Sequence, residues 1–198
     1  MSTAAPSRGP GRRPGAPDTR TEVLSAARTS FADKGFERTT IRGIATAAGV
    51  APGMVHHFFG SKEDLFLEAL EVPFDPRVAL RPVVEGPPEE VGERMARAIV
   101  SIWEDEAKRE PLLALLRGAM TSEPIAAMLR DGFLRIVGTV LGSVIAGPDA
   151  ILRLQLALSQ VIGMEIFRHV VAVEPLASTT PEELIRRLAP VLQHHLRG

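Results

Sequence analysis

A chain of 198 residues with no cysteine and no tyrosine has few reactive groups from which to build chemistry. Its five histidines are His56, His57, His169, His194 and His195, four of them in adjacent pairs. Neighbouring residues on a helix diverge in direction, whereas a helical metal site needs the i, i+4 spacing. Without thiols there is no disulfide, thiolate metal site or cysteine nucleophile. The glycine-rich string Arg8-Gly9-Pro10-Gly11 has no strand before it, so it is no phosphate loop. These residues predict no catalytic group, no metal and no cofactor, and therefore no enzyme.

What remains is charge. The net charge of -1 hides an asymmetry: residues 1–60 hold eight Lys/Arg and four acids, +4, which leaves 15 basic and 20 acidic residues, -5, for the rest. A basic first third on an acidic body suits a small polyanion-binding piece carried by a larger unit. The other explanation is chance scatter.

The elements that would position these charges are helices throughout, since no run alternates with period two. Residues 1–17, rich in Ser, Gly, Pro, Ala and Arg, are expected to form a disordered basic arm. Arg8, Arg12 and Arg13 would either reach into a minor groove or only aid solubility. A first helix is expected from Asp18 or Thr19, with a capping box over Thr19–Glu22, inward Val23, Leu24, Ala27 and Phe31, and a stop at Gly35. A second follows Thr39 or Thr40, with Ile41, Ile44, Ala45 and Ala48 inward. Ala48-Gly49-Val50 makes a tight turn, and Pro52 opens a short third helix with Val55, Phe58 and Phe59 in the core. Ser61 caps a fourth. Two short helices about a glycine turn, braced by a third, are the parts of a helix-turn-helix.

The ungapped string is more specific than the pattern. Thr39-Thr40-Ile41-Arg42-Gly43-Ile44-Ala45, then Ala48-Gly49-Val50, then Gly53 through Leu65 resembles the TetR family of transcriptional regulators over residues 18–70. The segments 72–76, 86–88 and 174–178 also resemble one subgroup of that family. The resemblance implies an all-α fold: an N-terminal three-helix DNA-binding domain over 18–64 and a C-terminal helical ligand-binding and dimerisation domain over 65–198. Carried over by position, Thr40, His56 and Lys62 would contact phosphates, and Arg42, Pro52, Gly53, Met54 and His57 would face the bases of double-stranded DNA. Arg42 suits a bidentate guanine contact, while Pro52 and Met54 offer apolar contact to thymine methyls; the plainer role for Arg42 is a solvated helix face. Two departures stand out. Ala51 occupies a position where the family commonly has a capping hydroxyl, and His56 one where it usually has a phosphate-gripping tyrosine. Phe58 stands where His is frequent.

Beyond the headpiece, five prolines (Pro73, Pro76, Pro82, Pro87, Pro88) are expected to keep residues 72–88 free of helix. Helices are then expected from Val91 to Trp103, from Pro111 to Met120, over about 125–145, from Asp149 to before Pro175, and from Pro181 onward, where Pro190 must kink the last helix or cost it a hydrogen bond. The segment 150–172 is apolar on nearly every side, which implies its own core on one face and a second copy on the other: a homodimer reading a near-palindromic operator. Arg153, Gln155, Gln160, Glu165 and Arg168 argue against a membrane span, and the chain is expected in the cytoplasm. Trp103, Met120, Phe133, Met164 and Phe167 are the candidates to line a cavity for a small apolar effector, although large apolar side chains are more often plain core. The alternative is a protein of the same fold that answers to no small molecule.

Overall fold

The computed structural model describes residues 18–197, so the basic arm expected over 1–17 lies outside the described residues. Among them there are twelve α-helices and no strand. Helix α1 (Thr19–Arg38) buries Val23, Ala27 and Phe31 at the expected spacing. Thr19 is the first helical residue rather than a cap, and Glu22 N–H bonds the Asp18 carbonyl. Gly35, non-helical at φ +74°, ends the first helical stretch of α1 where expected, and beyond this kink a last turn runs on to Arg38. Thr39 makes the stop: its buried hydroxyl lies 2.9 Å from the Ser30 carbonyl and 2.8 Å from that of Gly35. Helices α2 (Ile41–Ala47), α3 (Pro52–Phe59) and α4 (Lys62–Ala69) complete the headpiece. Gly49 turns the chain between α2 and α3 at φ +68°. Ser61 and Asp64 form a reciprocal capping box on α4.

The proline-rich connection holds two one-turn helices, α5 (Pro76–Ala79) and α6 (Arg81–Val84), contrary to expectation. Pro76 and Pro82 sit in the first turn, where a missing N–H costs nothing. Helix α7 (Val91–Glu104) runs through the middle of the body. Helix α8 starts at Glu106, capped by Asp105, and runs to Thr121; Pro111 lies inside it instead of opening it. The single helix expected over 125–145 runs without a break from Glu123 to Leu141, widened in its middle: α9 (Glu123–Met128), a five-residue π-helical wide turn (Leu129–Phe133), then α10 (Leu134–Leu141). Helix α11 (Ala150–Glu165) passes into a second wide turn, Ile166–Val170. Helix α12 (Pro181–Arg197) is continuous through Pro190. It crosses α7 closely at Gly92, where a Cβ would stand 2.5 Å from the Gln193 nitrogen, and Gly92 N–H donates to Gln193 Oε1 at 2.7 Å.

Two apolar cores result. One joins the headpiece to Met128 and Ile136 of the body; the other lies among α7, α8, α10, α11 and α12. Phe133 packs against both.

Candidate DNA interface and ligand cavity

Helix α3 turns its apolar positions Val55 and Phe59 inward, which leaves Pro52, Gly53, Met54, His56 and His57 exposed on one short surface. Phe58 is half-buried and Arg42 is exposed on α2. Ala51 supplies no side-chain cap, so Pro52 at the first helical position substitutes a fixed φ for the hydroxyl. Thr40 caps α2 by accepting the Gly43 N–H at 3.1 Å, which leaves its own O–H to donate. His56 Nδ1 lies 3.0 Å from the Gly60 carbonyl. A carbonyl can only accept, so the ring proton sits on Nδ1, and a neutral His56 presents only a lone pair at Nε2.

Lys62 is held rather than free. Its ammonium stands 4.4 Å above the Phe36 ring and donates to the Glu37 carbonyl at 3.3 Å. Burial lowers its pKa, with Glu63 acting in the opposite sense. Three donors on an ammonium leave it capacity for a phosphate.

The body holds a partly open cavity of about 120 Å³ whose wall is wholly apolar in residue type. Trp103 and Phe133 line it. The other three expected lining residues do not. Met164 packs against the body core without reaching the cavity. Met120 is 72% exposed, because the chain bends by 116° between α8 and α9–α10 and carries the last turn of α8 past the core. Phe167 is 53% exposed: the buried stripe Leu154, Ala157, Val161, Glu165 and Arg168 runs on at helical spacing and leaves Phe167 on the other side. The remaining wall comes from Ile99, Ile102, Leu112, Leu116, Leu158 and Val161 among others, most of them at helical spacing on faces that were legible. Leu129 and Pro76, also in the wall, belong to segments whose conformation the periodicity did not reveal.

A second buried feature is polar. Arg168 donates to Glu104 at 2.8 Å and to the carbonyls of Leu176 and Thr179 at 2.9 and 2.7 Å. Glu165, 1% exposed, faces His169 Nε2 at 3.2 Å. Burial pushes the Glu165 carboxyl up to about 7, with Arg168 opposing and Glu104 assisting. Burial likewise lowers His169, reinforced by Arg109 and Arg168. None of these groups lines the cavity. Among the described residues no three His, Asp or Glu gather in a metal-holding cluster.

Residues 23–69 match the family described as "Bacterial regulatory proteins, tetR family", and residues 89–196 match "Tetracyclin repressor-like, C-terminal domain". The chain superposes on a TetR-family regulator from Streptomyces coelicolor with a TM-score of 0.52 and 38% identity, over 96% of this chain and 100% of that one. It is 49% identical to the HTH-type transcriptional repressor KstR2 of Rhodococcus jostii over 51 residues, 26% of this chain and 25% of that protein. It is 29% identical to the HTH-type transcriptional regulator UidR of Escherichia coli K12 over 121 residues, 60% of each. These two curated relatives are thus matched over less than two thirds of their length. With a headpiece and a body that both carry the family's sequence, the chain belongs to the TetR family of DNA-binding transcriptional regulators.

Proposed function

We propose that this regulator is a homodimeric repressor that leaves a near-palindromic operator when a small, uncharged apolar molecule enters the body cavity. The observation that carries this reading is the cavity itself, walled by apolar side chains with no charged group among them. An apolar cavity of this size stays dry and favours compounds of roughly the size of benzene. The exposed surface of α3, with Arg42 beside it, supplies base contacts, and Thr40, His56 and Lys62 supply phosphate contacts.

The dimer would form through α11 and α12. Ile151, Leu152 and Leu156 are exposed along one side of α11, and Val191 is exposed on α12. Helix 150–170 is long and apolar enough to cross a membrane. Gln155, Ser159 and Gln160 are also exposed on α11, and Glu165 and Arg168 are buried among protein groups, which favours a second copy over lipid as the partner. Two copies related by a two-fold axis would read half-sites about one helical turn apart.

Selection of bound fragments from genomic DNA tests the operator, expected as an inverted repeat; retention of no duplex would overturn the DNA reading. Toluene binding, read through Trp103 as the sole tryptophan, tests the cavity. Sedimentation tests the dimer: Ile151→Glu with Leu156→Glu should give a folded monomer. Unchanged dimers, or lipid-vesicle binding by the wild type, would overturn that interface.

A further inference from the structure

The wide turn Leu129–Phe133 touches the cavity on one side and the headpiece on the other. Leu129 and Phe133 stand in the cavity wall. Between them Gly132, buried, presents bare backbone to the Phe66 ring of α4. A Cβ there would lie 2.6 Å from Phe66 Cε2 and 2.8 Å from Cε1, so the ring can occupy its place only because residue 132 has no side chain.

Phe66 in turn meets Phe36 edge-to-face, with ring centroids 5.0 Å apart. The Phe36 face carries the Lys62 ammonium, which also bonds the Glu37 carbonyl. The Glu37 carboxylate pairs with Arg135, two residues beyond the wide turn. Lys62 is therefore seated on a ring and a carbonyl whose positions both depend on residues 129–135. Close-packed aromatic rings shift together rather than compress.

We propose that the wide turn sets the seat of Lys62, so that Gly132, Phe66 and Phe36 act as positioning residues for a phosphate contact made by α4. A filled cavity would push the turn outward, unseat Lys62 and weaken DNA binding without touching a base-reading residue. The purpose given to this linkage rests on the proposed effector cavity; the linkage itself does not need an effector.

The test measures binding of the full-length chain to a random-sequence duplex against salt concentration, with no ligand present. Each phosphate contact adds about one to the slope of log affinity on log salt. Lys62→Ala and Gly132→Ala should each lower that slope by about one per headpiece. The double variant should lose no more than Lys62→Ala alone. If Gly132→Ala folds poorly, Phe133→Trp, which enlarges the turn on its cavity side, carries the same test and should lower the slope as Gly132→Ala does. A wild-type slope in folded Gly132→Ala or Phe133→Trp, additive losses in the double variant, or no change on Lys62→Ala would overturn the proposal. Failure of toluene to bind would sink the effector reading and leave these outcomes intact.

Discussion

The headpiece and the body each have an apolar core, but one is filled and the other is hollow. In the headpiece Phe31, Phe36 and Phe66 pack ring to ring, with Phe66 5.0 Å from each of the other two and fully buried. The body leaves about 120 Å³ unfilled among apolar side chains. A filled core holds the DNA-facing residues in fixed relation; a hollow one can accept a guest and change shape. The two meet at Phe133, which packs against both, and beside it at Gly132, which faces Phe66; on the proposed effector reading this wall is a route from cavity to headpiece.

The sharpest way to break this contrast is to alter each core. Phe66→Ala empties a filled site and should cost about 3–5 kcal/mol in urea denaturation. Leu116→Phe adds volume to a hollow one, should change stability by less than about 1.5 kcal/mol, and should block toluene from quenching Trp103. Equal losses from the two would mean that the body has no usable space.

Glu165 gives the next largest effect. Its raised carboxyl pKa means that the folded chain keeps a proton the unfolded chain has released, so stability falls as pH rises from the ordinary carboxyl range through about 7. The loss should be of order 2–3 kcal/mol, and Glu165→Gln should flatten it and raise the melting temperature at pH 8. A wild-type melting curve that does not move between pH 5 and 8 would contradict that assignment.

At the DNA surface the effect is smaller. With the His56 proton committed to the Gly60 carbonyl, the neutral ring has no donor left for a phosphate. His56→Gln, whose amide carries two donors, should therefore bind operator at least as tightly as wild type, within about tenfold per headpiece, and weaker binding in fluorescence anisotropy would contradict that geometry. The smallest effect is local: Ala51→Ser restores a hydroxyl cap to α3 and should add about 1 kcal/mol to stability in a thermal melt.

The sequence displayed the headpiece far better than the body, for a physical reason. Caps and turns are local: Ser61 with Asp64, Gly49 and Pro52 act within a few residues, and each appears where its chemistry requires. The body depends on tertiary events that leave little local trace. Pro111 sits within a helix that Asp105 had already started. On α11 and the turn after it the buried stripe ends in Glu165 and Arg168, held inside by Glu104 and the carbonyls of Leu176 and Thr179, so Phe167, a cavity candidate by residue type, points outward. Met120 failed because of a bend beyond the reach of its own helix. The contact of Gly132 with Phe66 spans 66 positions and has no sequence signal.

The central claim is that filling the body cavity weakens the hold of the headpiece on DNA. The direct measurement is operator affinity by fluorescence anisotropy, on a fragment recovered from the genomic selection, with and without enough toluene to saturate the Trp103 signal. A fall of about 5–150-fold, the usual range for coupled sites, with Leu116→Phe unresponsive, is the expected result. Unchanged affinity while Trp103 reports a filled cavity would contradict the account.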